Sequence, residues 1–262
     1  MHVQQRSLLL ILTLFQATAC SGSFIIGGRE VKKPKPWMAS VQVKKSHICG
    51  GTLIHQQWVL TAAHCKTVFQ SNPVQVLLGA HSLTKDKNTQ RVNVLSFHIP
   101  KEFNTTTKVH DIMLMKLQNK VQLKKNNVDV KKIPKSGKDI PAGTKCEVRG
   151  WGTTHVNKHK ASDTLQEVEV TVVDRELCNC YYNCKPVITV DMLCAGNKQG
   201  EKDACWGDSG GPLECKTSIV GVVSGGNGCG NPKKPGVYTL LSKGHIDWIN
   251  KTLKKHSNST EV

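Results

Sequence analysis

Along residues 166–173, Val168, Val170 and Val172 alternate with Glu167, Glu169 and Thr171. A period of two puts the two sets on opposite faces, so this segment is predicted to be a strand with one buried face. Short apolar runs at residues 58–62, 74–78, 112–117, 219–223 and 237–241 are bounded by turns rich in Gly, Pro, Asn or Lys and read as further strands. Helical patterns do not alternate with them, which argues against a parallel sheet with crossover helices. The end of the chain differs: Ile246, Ile249 and Leu253 recur at helical spacing beside Trp248, predicting a C-terminal amphipathic helix. Many strands closing on one short helix predict barrels. The Lys-rich stretch at residues 124–143, with Pro134 and Pro141, is the candidate linker between two similar halves.

Residues 8–15 form an apolar run, preceded by Arg6 and followed by Ala17-Thr18-Ala19, in the pattern of a secretory signal. The run is too short to cross a bilayer, and no later stretch is long and apolar enough, so no membrane span is expected. A chain of 262 residues allows one large or two small domains. In an exported chain, eleven cysteines read as a disulfide framework rather than a metal cluster, with Cys20 at the processing site. Sequons at Asn104, Asn250 and Asn258 fit the same compartment. The 36 Lys plus Arg outnumber the 19 Asp plus Glu to give a net charge of +17, a field that attracts polyanions. The lysines are spread in small groups, such as Lys32, Lys33 and Lys35, and no recognition motif accompanies them. Specific nucleic-acid binding is therefore not expected.

The sharpest motif is Gly207-Asp208-Ser209-Gly210-Gly211-Pro212. A serine hydroxyl is a poor nucleophile unless a base takes its proton, and the oxyanion it generates needs preorganised donors. The hexapeptide also fits the Gly-x-Ser-x-Gly elbow of α/β-hydrolases, in which the acid and the histidine follow the serine. Here they precede it. Thr61-Ala62-Ala63-His64-Cys65 places a histidine at the end of a predicted strand, and Asp111-Ile112-Met113-Leu114 opens another strand with an acid. Singly, His64 reads as a core or surface histidine and Asp111 as a turn cap. Together, in the order His, Asp, Ser, they read as a base, the acid that holds its tautomer, and a nucleophile.

These motifs, with Ile25-Ile26-Gly27-Gly28, Gly150-Trp151-Gly152, Met192-Leu193-Cys194-Ala195-Gly196 and Pro235-Gly236-Val237-Tyr238, resemble the chymotrypsin-fold serine proteases of the trypsin family over nearly all of residues 25–253. The resemblance implies an all-β fold of two six-stranded antiparallel β-barrels with a C-terminal α-helix. Residues 1–24 would be a signal peptide and short propeptide, residues 25–129 the first barrel, and residues 130–262 the second barrel and helix. It implies peptide-bond hydrolysis by His64, Asp111 and Ser209, with the amides of Gly207 and Ser209 as the oxyanion hole. It also implies a zymogen, in which cutting before Ile25 frees an amine that pairs with Asp208. A buried carboxylate is costly unless paired, so the new ammonium can order the loop that carries Ser209. Asp203 would floor the S1 pocket and select Lys or Arg, with Gly226 and Gly236 keeping the mouth open and Ser224 bonding the triad aspartate. The implied disulfides pair Cys49 with Cys65, Cys146 with Cys215, Cys178 with Cys194, and Cys205 with Cys229. For Cys180 and Cys184 a fifth, local bridge is expected; reshuffling with Cys178, an intermolecular bridge, or a metal site with His155 and His159 are the alternatives. No cofactor or metal is expected, because the loop after Leu83 lacks the paired glutamates of calcium-binding digestive trypsins.

Within the family, Leu78-Gly79-Ala80-His81-Ser82-Leu83, Ser162-Asp163-Thr164-Leu165-Gln166-Glu167-Val168 and Tyr238-Thr239-Leu240-Leu241-Ser242-Lys243 are similar to the granzyme A and K branch, and Ser224-Gly225-Gly226 to granzyme K. Most relatives carry an aromatic where Gly225 stands, so the S2 to S4 wall is expected to be open. The resemblance implies storage in the granules of cytotoxic lymphocytes, protein substrates cut after Lys or Arg, inhibitors such as serpins, and polyanions such as sulfated proteoglycan as partners. The segment around Phe103 lacks the cysteine through which granzyme A is understood to dimerise, so a monomer is expected. An Arg/Lys-specific enzyme does not cut after Phe24, so another protease is expected to activate the chain; Ser23-Phe24 suits a dipeptidyl peptidase if signal peptidase cuts after Gly22. Trp206 departs from the relatives, which more often carry a polar residue there, and a large ring at the pocket rim is expected to bias substrate choice. The rival readings are another secreted trypsin-like protease and a catalytically weak basic relative that binds polyanions.

Overall fold

The computed structural model describes residues 25–155 and 158–257. The signal and propeptide expected at residues 1–24, the sequon at Asn258 and the side chains of His155 and His159 lie outside the described residues. The strands in chain order are β1 (Arg29–Glu30), β2 (Met38–Val43), β3 (Ser46–His55), β4 (Trp58–Thr61), β5 (Val74–Leu78), β6 (Gln90–His98), β7 (Met113–Leu117), β8 (Lys145–Gly150), β9 (Thr153–His155), β10 (Lys158–Ala161), β11 (Gln166–Val173), β12 (Met192–Gly196), β13 (Pro212–Cys215), β14 (Ser218–Gly225) and β15 (Gly236–Leu240). Helices are α1 (Lys66–Phe69), α2 (Arg175–Tyr181) and α3 (Lys243–Ser257).

Strands β2-β3-β4-β7-β6-β5 close into an antiparallel barrel, because β2 pairs with both β3, Met38 opposite Thr52, and β5, Val41 opposite Val76. The second barrel closes through β8-β11-β12-β15-β14-β13: Val148 of β8 stands opposite Val168 of β11 on one side and Leu213 of β13 on the other. Inward side chains fill both barrels, as strand alternation in a small barrel requires. Val41, Leu53, Val59, Val76 and Leu114 form the heart of the first core, and Val148, Val170, Leu213, Tyr238 and Leu240 that of the second.

The apolar runs read from the sequence are β4, β5, β7, β14 and β15, and the final helix is α3. Val168, Val170 and Val172 of β11 are buried as the alternation predicts. Glu167, expected on the solvent face, is also buried, because Arg149 Nε donates to its carboxylate at 3.2 Å. Residues 118–144 pass from one barrel to the other without a regular element. The chain ends cross over: β1 adds to β11 of the second barrel, whereas Ile246 and Ile249 of α3 pack into the first core. Each barrel is thus completed by the other half of the chain.

Four disulfides join Cys49 to Cys65, Cys146 to Cys215, Cys178 to Cys194, and Cys205 to Cys229, the pairing implied by the family resemblance. The fifth bridge is absent: Cys180 and Cys184 are exposed free thiols. Cys180 lies in α2 and Cys184 beyond its end, where the N–H groups of Asn183 and Cys184 bond the carbonyls of Cys180 and Asn179. Backbone bonds close this turn and leave both thiols to solvent. Among the described residues no helix is long and apolar enough to cross a membrane.

Candidate active site

After β4 the chain turns through a single 3-10 segment, Ala63–Cys65, which holds His64 beside the Cys49–Cys65 disulfide. Asp111 stands just before β7 and is 0% exposed. Its Oδ1 accepts the backbone N–H of His64 at 2.8 Å. Its Oδ2 accepts from His64 Nδ1 at 2.6 Å and from Ser224 Oγ at 2.5 Å. Thr239 Oγ1 donates to the Asp111 carbonyl at 2.9 Å. A buried carboxylate is stable only with such donors. Holding the proton on Nδ1 leaves Nε2 of the neutral ring as its acceptor.

The loop carrying Ser209 is tied to both barrels. The Ser209 carbonyl accepts the Gly50 N–H, and the Gly210 N–H donates to Val223 O, both at 2.8 Å. The N–H groups of Asp208 and Gly211 bond the carbonyls of Cys205 and Asp208 at 2.9 Å. Among the described residues, no protein acceptor takes the N–H of Gly207 or Ser209. Two unpaired amides, one of them the serine's own, are suited to an oxyanion. The Gly207 carbonyl is held from behind by His47, whose Nε2 donates to it at 2.9 Å while Nδ1 accepts from Ser40 Oγ at 2.8 Å. Burial pushes the His47 pKa down to about 4, so the ring is neutral and its single proton sits on Nε2. Sequence reasoning missed His47 and Ser40; a histidine two residues before a cysteine is a weak signal.

Asp208 points into the second barrel between two glycines. The N–H of Gly152 donates to its Oδ1 and that of Cys205 to its Oδ2, both at 2.9 Å. A Cβ on Gly150 would lie 2.1 Å from Oδ1 and one on Gly152 2.3 Å from Oδ2, so only glycine lets the carboxylate in. Burial pushes the Asp208 pKa up to about 7. Ile25 is buried in the same core, and the Ile26 carbonyl accepts the Asp203 N–H at 3.1 Å. No ion pair joins Ile25 to Asp208 among the described residues: Phe24 precedes it, so its nitrogen is an amide, not an amine.

A cavity of about 240 Å³ brings together His64, Asp203, Ser209, Ser224, Gly226 and Gly236, with Lys108 and Trp206 at its edge. Asp203 is 3% exposed. Its Oδ2 accepts the Gly230 N–H at 2.9 Å, whereas its buried Oδ1 has no partner. Burial pushes its pKa up to about 7. A Cβ on Gly236 would come within 3.0 Å of Oδ1, so a side chain there would crowd the carboxylate. Trp206 is 61% exposed, and its carbonyl accepts the Thr153 N–H at 2.7 Å.

Two closed antiparallel barrels with a serine, a histidine and a buried aspartate converging between them define a serine endopeptidase of the chymotrypsin fold. The chain belongs to the trypsin family, whose model, described as Trypsin, matches residues 25–249. It is 43% identical to granzyme A of Bos taurus over 249 residues, 94% of this chain and 93% of that protein. It is 38% identical to mast cell protease 3 of Ovis aries over 256 residues, 96% of this chain and 98% of that protein. Among solved structures, neuropsin, a serine protease expressed in the limbic system of mouse brain, matches with a TM-score of 0.77 at 37% identity, over 86% of this chain and 98% of that one.

Proposed function

We propose that this protease cuts peptide bonds after Lys or Arg through an acyl-enzyme on Ser209, and that it is made as a zymogen activated by removal of residues up to Phe24. The observation that carries the reading is Asp203 Oδ1, a buried acceptor without a partner in the cavity that Ser209 and His64 also line. A lone buried carboxylate oxygen is costly, and a guanidinium or ammonium entering the cavity supplies the missing donor and charge. His64 Nε2 takes the Ser209 proton as the hydroxyl attacks the carbonyl carbon, and the N–H groups of Gly207 and Ser209 receive the oxyanion. Asp111 stabilises the imidazolium, and His64 then protonates the leaving amine. Hydrolysis of the ester by water repeats the steps and restores Ser209.

A free Ile25 ammonium supplies the cation that buried Asp208 lacks, which would hold the loop with the two unpaired amides in place. Similarity to granzyme A and mast cell protease 3 supports a secreted enzyme of the granzyme A/K type, stored in cytotoxic granules. The excess of Lys and Arg over Asp and Glu beyond residue 24 supports retention there by sulfated proteoglycan. Protease inhibitors such as serpins are the expected regulators. The exposed Asn104 and Asn250 are the candidate glycan sites. The test is hydrolysis of Lys, Arg, Phe and Asp peptide esters by a chain starting at Ile25. Turnover of the Lys and Arg esters alone is expected, and Ser209→Ala lowers kcat by about 10⁴ to 10⁶. Equal rates for the two proteins would remove Ser209 from the chemistry.

A further inference from the structure

Lys108 lines the same cavity as Asp203, Ser209 and Gly225, yet neither the peptide-bond chemistry nor recognition of a basic side chain uses it. Among the described residues no carboxylate pairs with its ammonium, unlike Lys35, Lys124, Lys131, Lys145 and Lys243. Its backbone is pinned at φ 59° in a loop bonded to itself. The Lys108 N–H donates to Asn104 O at 2.9 Å, the Asn104 N–H to Val109 O at 3.1 Å, and the N–H groups of Thr106 and Thr107 to Asn104 Oδ1 at 2.9 Å. Three residues on, Asp111 is anchored to His64 and Ser224, two residues that line the same cavity, which ties the loop to it. The loop backbone is held in place, and among the described residues no carboxylate neutralises the Lys108 cation.

Resting on the reading of the cleft above, we propose that Lys108 is a specificity-determining residue that selects substrates with Asp or Glu immediately before the Lys or Arg whose bond is cut. The basic side chain occupies the cavity toward Asp203, and its carbonyl carbon must reach Ser209. The cut bond then lies at Ser209, and in this proposal the preceding residue runs past Ser224 and Gly225, which line the same cavity as Lys108. That path has room, since a Cβ on Gly225 would meet nothing within 4 Å. A second cavity, of about 530 Å³, is lined by Thr106 and Val109 of the Lys108 loop and by Lys185, and by no carboxylate among the described residues. A cation at the rim and an anion within the pocket complement an acid followed by a base along one peptide.

The test measures kcat/KM for the chain starting at Ile25 on matched peptides with Glu, Gln or Lys before Arg, and on peptides with Glu after it. Glu-Arg is expected to exceed Gln-Arg by about fivefold, the upper range for a solvent-accessible ion pair. Lys108→Gln abolishes the preference, Lys108→Glu inverts it toward Lys-Arg, and Lys254→Gln on the exposed face of α3 leaves it unchanged. Arg cleavage with no preference, a preference for Glu only after the cut bond, or an equal loss in the Lys254 variant overturns the proposal and leaves the protease reading standing. Failure to cut after Arg in every peptide overturns that reading and this one with it.

Discussion

Asp203 has one carboxylate oxygen bonded to Gly230 N–H and the other bare, in a site dry enough to raise its pKa to about 7. Only the ionised form attracts a cation, so acid should empty the pocket. The affinity of a small amidinium probe is expected to fall about tenfold per pH unit below about 7 and to level off above it. Asp203→Asn should bind weakly at every pH, without that slope. Calorimetric titration from pH 5 to 8.5 checks this, and a pH-independent affinity in the parent chain would show that the cation pairs elsewhere. Ser209 is legible in the sequence because it belongs to a short contiguous motif whose chemistry is local, whereas Asp203 is read only through the resemblance to trypsin-family proteases. His47 is not legible: its role exists only through a contact to Gly207, 160 residues away, and its spacing to Cys49 is a weak signal. Lys108 looked like one more of many lysines, because only the fold brings it to the cleft.

At the scale of elements, β8, β11 and β13 meet around one guanidinium. Arg149 lies 3.2 Å from Glu167 Oε2 and 3.1 Å from Glu214 Oε1, and also pairs with Glu147. From the first half of the chain, Lys131 Nζ reaches Glu214 Oε2 at 2.9 Å and Trp37 Nε1 donates to Glu214 Oε1 at 2.7 Å. Removing the central cation leaves Glu167 only the partly exposed cations Arg29 and Lys35, and Glu214 only the cation Lys131, a defect on the order of 3 kcal/mol. Arg149→Ala is expected to lower the thermal midpoint by on the order of 10 °C, whereas Arg29→Ala, whose side chain is 70% exposed, should cost at most about 1 kcal/mol. Equal midpoints for the two variants in a thermal melt would mean that the cluster holds nothing together. This network also marks where pattern reading stops. Runs such as residues 74–78 announce β5 because four of the five residues are apolar and turn residues bound them. In β2, Met-Ala-Ser-Val-Gln-Val, both faces are buried and the polar residues are satisfied inside, with Gln42 Nε2 donating to Ser40 Oγ, so no alternation against solvent remains to be read.

At the scale of the whole molecule, the proposed activation predicts that a free Ile25 amine couples to the cleft through Asp208. With Ile25 in an uncut chain, the Asp208 carboxyl is buried without a cation, and its pKa rises from 3.8 to about 7. A carboxyl whose folded pKa is raised binds its proton more tightly when folded. It contributes stability that is fully present below about pH 4 and is lost as pH climbs through about 7, a change on the order of 4 kcal/mol. Under the proposed activation, a chain beginning at Ile25 is expected to supply an ammonium to the ionised carboxylate and to escape that loss. Groups common to both forms cancel in the comparison, so the stability gained on cutting should be small near pH 4, grow to a maximum between about pH 7 and 8, and shrink as the amine itself deprotonates. Denaturant unfolding of the chain starting at Ile25 against one retaining Ser23-Phe24, at unit steps from pH 4 to 9, measures it directly. Asp208→Asn in both chains should flatten the difference. A gain that stays constant from pH 4 to 8 would mean that Asp208 does not receive the new terminus, and that the loop bearing Ser209 is ordered by its backbone bonds to Gly50 and Val223 alone.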